Sequence, residues 1–482
     1  MSKYFTRSGL LIFAALLILQ TFNNCSGQQI TVAIRVPADS SQPVEISGRF
    51  TKPAGRNFAI TRSYAGISRL AERVSDLILE DANGKAVAYK QLIPGEYLAD
   101  KEIASWRYKM TLMPRKESVL AAHTSWLNGD SGLLVLDDLL PIVPSNSENV
   151  VADLSLELPT GWKSSSDLHI TSDIERLAIF VAKDPHIVRV PISGVELTLM
   201  TKGEWKFGDD DLQRSVAEIY NEYRRVFGGP PARSVTISLM HFPTSQPAGV
   251  WEADTRGSNV IIVSSDTAFS TQSVQRLHEQ LRHEMFHLWL PNAVNLSGHY
   301  DWFYEGFALY ESLKIGVALN RIRFDDYLDT LSRAYTFDSA MGPRPSLIEA
   351  SANRSAGGDA DLYARGMIIA LLTDLESMRA SRGKTNVEAM LRSLFEKFHD
   401  AASQTDGNKA VLDVIASPLV TRYVQGTEQI DLGYALQAAG LELIKNGPSY
   451  VLKVVEKPDR RQREMLEKLG YNNWRRSNAS PK

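Results

Sequence analysis

Disulfide chemistry is all but missing from this 482-residue chain, which holds one cysteine, Cys25. A single thiol closes no intrachain bridge, so the fold must rest on buried apolar surface and hydrogen bonds. Excess charge is missing as well. With 53 basic and 56 acidic residues the net charge is −3, which speaks against a nucleic-acid partner or an acidic tail. There is no sequence repeat of about 20–50 residues and no long low-complexity tract, which excludes solenoids and linker-like arrays. Long apolar runs are scarce too. The prominent one, Leu10 to Leu19, is far shorter than the roughly 20 residues of a membrane span.

That run follows Lys3 and Arg7 and precedes polar and small residues in "TFNNCSGQQ". Positive charge, an apolar centre and a polar exit read as a secretory leader over residues 1–27, and predict a secreted, periplasmic or cell-surface protein. Membrane association is expected only if the leader stays uncleaved or Cys25 is lipidated. The preceding "FNN" lacks the small residue that usually flanks a lipidated cysteine. Removal of the leader near Gly27 leaves a mature chain without cysteine.

An apolar fraction of 44% is ordinary for a globular protein, and the length suits about three domains. Segments such as "QITVAIRVP", "VEISGRF", "SDLILED" and "LLVLDDLL" alternate with period two between Pro, Gly, Asn and Ser clusters. They predict an antiparallel β domain over residues 28–165. A β-rich lobe over 166–270 follows, crossed by a helix in "DDDLQRSVAEIYNEYRRVFGG". That helix has apolar residues from Leu212 to Phe227 at helical spacing, acids at its start and Gly-Gly at its end. Residues 271–445 read as a helical lobe. Residues 446–482 read as a basic helix and solvated tail. The fold class expected is α+β.

Chemistry concentrates in "VQRLHEQLRHEMFHLWL". Val274, Leu277, Leu281 and Leu288 recur at helical steps, so His283 and His287 lie one turn apart on one face and can share a tetrahedral metal, usually zinc. Glu284 sits about 60° around the helix from His287, able to miss the metal and reach a water beside it. His278 falls on the other side of the helix, as a surface residue. A catalytic zinc needs a third ligand. His299 is one candidate, but "HLWLPNAVNLSGH" lacks a glycine turn. Glu305 in "DWFYEGFALYESL" is the better one, because a carboxylate among Trp302, Phe303, Tyr304 and Phe307 would be costly to bury unless a metal paired it.

"HEMFHLWL" followed by "WFYEGFALYESL" resembles the gluzincin metallopeptidases. "LYARGMIIALLTDLESMRASRGKTNVEAMLRSLF" (362–395) and "YVQGTEQIDLGYALQAAGLEL" (423–443) resemble the glycyl aminopeptidase family among them. The likeness runs over most of the mature chain, in the same order of parts. It implies a thermolysin-like catalytic domain holding one Zn2+, with His283, His287 and Glu305 as ligands. It makes Glu284 the general base and Tyr363, in "YARG", the hydroxyl that stabilises the oxyanion. It also offers Glu252, in "AGVWEADTRGSNVIIVSS", as the carboxylate that binds a substrate's free amine. The partner implied is a peptide or protein substrate, cut from its amino terminus. Two departures bear on substrate preference. The interval of 17 residues between His287 and Glu305 is short for glycyl aminopeptidases and nearer to broader aminopeptidase relatives. The chain also stops soon after the helical lobe, so the PDZ domain common in that family is not expected. An endopeptidase is the runner-up, and a binding or assembly protein with a structural zinc is the competing class. That last reading leaves Glu284 and Tyr363 without a task.

Overall fold

A computed structural model describes residues 29–64, 67–114, 120–142, 150–354 and 359–472. The expected leader, Cys25 and residues 473–482 of the expected tail lie outside them. The chain is α+β, with β sheets first and helices later. No helix among the described residues is long and apolar enough to cross a membrane.

The first domain is built on a seven-stranded sheet in which Gln29–Arg35 lies beside the central strand Val44–Phe50, and its Ile30, Val32 and Ile34 alternate into the core. Most pairings are antiparallel, as expected, but Gln29–Arg35 runs parallel to Val151–Glu157. Two four-stranded sheets complete the domain, and the helical turn α1 (Leu136–Leu139) buries Leu136 and Leu139 in its core.

The domain does not end at residue 165. His169–Asp173 extends the large sheet, and Ala178–Lys183 pairs with Ser131–Val135. The run "AIFVA" is buried on both faces. Ile179 and Val181 belong to the first domain's core, whereas Ala178, Phe180 and Ala182 pack against Met200, Met240, Ile261 and Val263 of the next sheet. A strand covered on both faces loses the period-two signature that would have assigned it.

The second sheet has five strands in the order His186–Ile192, Val195–Thr201, Ser234–Met240, Asn259–Ser264 and Trp251–Arg256. Its three inner strands are parallel and its outer strands antiparallel. Helix α2 (Asp209–Phe227) bridges two of the parallel strands and stops at Gly228, whose φ of +84° suits glycine. Trp251–Arg256 is thus an edge strand, placed beside α3 (Ser270–His287).

From there the chain is mainly helical: α4 (Asp301–Ala318), α5 (Phe324–Ala340), α6 (Leu347–Ala352), α7 (Asp359–Ala380) and α8 (Val387–Phe398), then α9 (Gly407–Ile415), α10 (Pro418–Gln425) and α11 (Gly433–Ala438). The expected break at 445/446 falls inside a hairpin, Leu441–Asn446 with Ser449–Val454. That hairpin is tied to α5 through Leu452 N–H donating to Ser332 Oγ at 2.8 Å. The following α12 (Arg460–Lys468) buries Met465 and Leu466 in the main core. Up to Tyr471, then, the basic stretch belongs to the body of the protein rather than to a solvated tail, because its few apolar residues share one helix face.

Candidate active site

Helix α3 keeps its apolar residues, Leu277, Leu281, Met285 and Phe286, in the core. That orientation brings His283 and His287 to the opposite side together. Their Nε2 atoms are 3.4 Å apart, and each lies 3.5 Å from Glu305 Oε2 on α4. Metal bonds of about 2.0–2.1 Å in tetrahedral geometry require ligand atoms about 3.4 Å apart. The three donors are therefore spaced as one face of such a tetrahedron. Among the described residues they are the group of His, Cys and carboxylate donors close enough to share an ion. His287 Nδ1–H donates to the Leu290 carbonyl at 3.1 Å, which fixes the tautomer and leaves Nε2 its lone pair. His283 Nδ1 is buried without a hydrogen-bond partner among the described residues.

The charges agree with this grouping. Burial alone would push the Glu305 carboxyl up, but His287, hydrogen bonds from both histidines and Arg354 outweigh it and hold Glu305 well below the usual range. Burial would lower His287, yet Glu305 outweighs it and lifts the imidazole to about 9. Such a site holds protons tightly when no metal replaces them.

Glu284 points beside the triangle, its Oε1 4.0 Å from His283 Nε2. Only 4% of it is exposed. Burial raises its pKa above the usual carboxylate value, against the pull of both histidines and of Thr255. Thr255 Oγ1 donates to Glu284 Oε2 at 2.8 Å and lies 3.0 Å from the Glu284 carbonyl. Thr255 was not identified from sequence. The parity of the strand carried a signal, since Trp251, Ala253 and Thr255 alternate with Glu252, Asp254 and Arg256, but only the structure shows which set meets α3.

The second set faces the first domain. Arg256 Nη1 binds Asp137 Oδ1 at 2.7 Å, and Asp254 Oδ2 lies 3.3 Å from His123 Nδ1. Glu252 shares this parity: its Oε2 accepts from Ala122 N–H at 3.3 Å. Glu252 is not brought to the metal donors and lines neither cavity that contains them. Strand parity alone does not exclude it, since Asp254 and Arg256 share its face and line the larger cleft. The Glu252 carboxylate sits against Ala122, with Oε1 buried and without a hydrogen-bond partner among the described residues.

Tyr363, on α7, accepts a hydrogen bond from Arg354 Nη2 at 2.6 Å. It lines a cleft of about 700 Å³ together with His283, Glu284, His287 and Glu305, and a second cavity of about 620 Å³ that shares His283 and Glu284. His299 lines the first cleft but stands outside the donor triangle. Helices α4 and α7 reach this proximity through two glycines. A Cβ on Gly306 would lie 2.3 Å from the Gly366 carbonyl carbon, and one on Gly366 would lie 2.4 Å from the Trp302 oxygen. Gly306 follows Glu305 directly, and Gly366 is three residues from Tyr363, so the crossing sets the distance between these two side chains.

His278 is not a surface residue. It is 1% exposed, and its Nδ1 accepts from Arg282 Nη1 at 2.6 Å. The back of α3 is covered by α2, so both sides of that helix are enclosed. Arg354 was also unforeseen. It bonds Asp301, Glu305 and Tyr363 at once, and nothing in "SANRSAGG" marks it.

No family model and no curated protein matches the chain. Solved structures do. An aminopeptidase N family protein from Idiomarina loihiensis aligns with a TM-score of 0.69 at 17% identity, over 86% of this chain and 79% of that one. An M1 zinc metallopeptidase from Deinococcus radiodurans aligns with a TM-score of 0.54 at 14% identity, over 84% of this chain and 95% of that one. A mutant of the latter was solved with a Tyr-Ser-Ala substrate. At such identities the likeness is one of fold: the chain is built as these zinc metallopeptidases are built.

Proposed function

We propose that the protein is a zinc-dependent peptidase of thermolysin-like construction that removes residues from the amino terminus of peptides. The observation that carries this reading is the triangle of His283, His287 and Glu305, with edges of 3.4–3.5 Å and Glu284 beside it. The fold shared with an aminopeptidase N family protein, and with a metallopeptidase solved on a tripeptide, supports it.

The three donors would hold zinc, which supplies Lewis acidity and makes a water molecule acidic enough to react near neutral pH. Glu284 takes the proton as that water attacks the scissile carbonyl and returns it to the departing amine. Its Oε2 is held by Thr255, so Oε1 is the oxygen presented to the reaction. Tyr363 donates its hydroxyl hydrogen to the oxyanion that develops on the carbonyl oxygen. The test is Glu284→Gln. Hydrolysis of unblocked peptides should fall by roughly 10²- to 10⁴-fold while the bound zinc is retained. Undiminished hydrolysis would refute the reading.

Internal cleavage is the second reading. Two cavities share Glu284 and Tyr363, and Glu252 lines neither of them. Peptides with acetylated amino termini separate the two readings, since only an endopeptidase cuts them. Export is proposed from the pattern of residues 1–27, and amino-terminal sequencing of the mature protein tests it.

A further inference from the structure

We infer that Arg354 is a positioning residue that ties the two halves of the site together, selecting which Glu305 oxygen faces the metal and holding the Tyr363 hydroxyl. The part concerning Tyr363 rests on the peptidase reading; the part concerning Glu305 rests on the metal triangle alone.

Arg354 lies between α6 and α7. Its Nη1 donates to Asp301 Oδ1 at 2.9 Å and to Glu305 Oε1 at 3.0 Å, and its Nη2 donates to Tyr363 Oη at 2.6 Å. Asp301 and Glu305 are four residues apart on α4, so both carboxylates face the same way and one guanidinium nitrogen reaches both. The two Glu305 oxygens thereby have separate duties. Oε2 lies 3.5 Å from both imidazole nitrogens, and Oε1 is occupied by Arg354. This division orients the carboxylate to offer one oxygen to a metal. Without Arg354, a buried oxygen loses its donor and the carboxylate is free to turn.

The second nitrogen fixes the phenol. An arginine N–H can only donate, so the Tyr363 oxygen accepts and its own hydrogen is directed elsewhere. The guanidinium also sits 5.5 Å from the centre of the Tyr363 ring, which adds a cation–π attraction. A planar fork can serve acceptors on two elements together, whereas one ammonium group presents a single nitrogen. Arginine is therefore required for the phenol as well as for the carboxylate.

The test compares R354A and R354K with the parent protein, reading the zinc dissociation constant by competition with a chromogenic chelator, and kcat and KM at saturating zinc. R354A should bind zinc about 10- to 100-fold more weakly, as when other supports of metal ligands are removed. Its kcat should fall by roughly 100-fold with KM within about threefold, the pattern of a group that acts on the transition state. R354K should recover zinc affinity but not kcat, and millimolar guanidinium should restore part of the kcat of R354A. Zinc affinity is also measured with Glu284→Gln present in every variant, so that the Glu305 half is tested even if the protein cuts no peptide. Zinc affinity and kcat in R354A both within about twofold of the parent would overturn the inference. Weakened zinc binding with unchanged kcat would overturn its Tyr363 half. If R354A does not fold, R354K decides: kcat equal to the parent's overturns the fork argument.

Discussion

Thr255 contributes one hydroxyl to the site, and its removal has a direction that can be worked out. Its hydrogen bond favours the charged form of Glu284, opposing the burial that raises the carboxyl. Thr255→Val keeps the shape and deletes the donor, so the Glu284 pKa should rise. Because a general base must be unprotonated, the acid limb of kcat/KM against pH should shift upward. The value at the optimum should fall by roughly tenfold, the size of one hydrogen bond to a charged group. A pH–rate profile reads both effects, and an unshifted limb would show that Thr255 does not set the base. His278 gives a second prediction, about stability. Burial, aided by Arg282 and Arg321, lowers its pKa from 6.5 to about 3. The unfolded chain therefore takes up a proton below pH 6.5 that the folded protein refuses, so stability is full above that pH and is lost as pH falls. The slope approaches about 1.4 kcal/mol per pH unit. Denaturant titrations of metal-free protein between pH 6.5 and 4.5 should show this slope, and His278→Asn should flatten it.

At the scale of elements, the site depends on how closely α4 approaches α7. Gly306 and Gly366 let the two backbones touch, and a methyl at Gly306 would meet backbone atoms that cannot give way. Gly306→Ala should cost about 1–3 kcal/mol of stability through overpacking. It should also weaken zinc binding, because Glu305 is the adjacent residue. A melt and a chelator competition together check this, and lost stability with unchanged zinc affinity would separate the crossing from the site. The same elements show what sequence could convey. The grouping of α3 with α4 is readable because apolar spacing sets the face of a helix, and with it the direction of His283, His287 and Glu305. Tyr363 was reached through resemblance, since an aromatic on a helix signals nothing by itself. Thr255 and Arg354 were beyond reach. Their partners are 29 and 49 residues away, and neither periodicity nor turn chemistry encodes such a pairing. The sequence places His278 at the surface, whereas the face of α3 turned from the donor triangle is covered by α2, and local spacing does not report what covers a face.

At the scale of the molecule, the cleft lies where the first domain meets the five-stranded sheet, so the β domain forms a wall of the site. Arg256 is a buried charged link across that seam. Its guanidinium binds Asp254 Oδ2 at 2.6 Å and Asp137 Oδ1 at 2.7 Å, and its side chain is only 8% exposed. Burial would raise Asp254, but Arg256 and His123 outweigh it and keep the carboxyl far below its usual value. Burial also raises Asp137, where Arg256 only partly offsets it. Arg256→Met keeps most of the volume and strands both carboxylates. Breaking one side of a buried pair costs about 3–5 kcal/mol, because the remaining charge stays desolvated. Unfolding at neutral pH should weaken by that amount. The loss should shrink as pH falls and the stranded carboxylates take up protons, which is opposite in sign to the effect of His278. Adding Asp137→Asn should recover part of the loss. Since Asp137 and Arg256 line the same cleft as Glu284, KM for peptides should rise together with the loss of stability. An Arg256→Met protein with unchanged KM would show that the seam supports the fold without shaping the substrate's path.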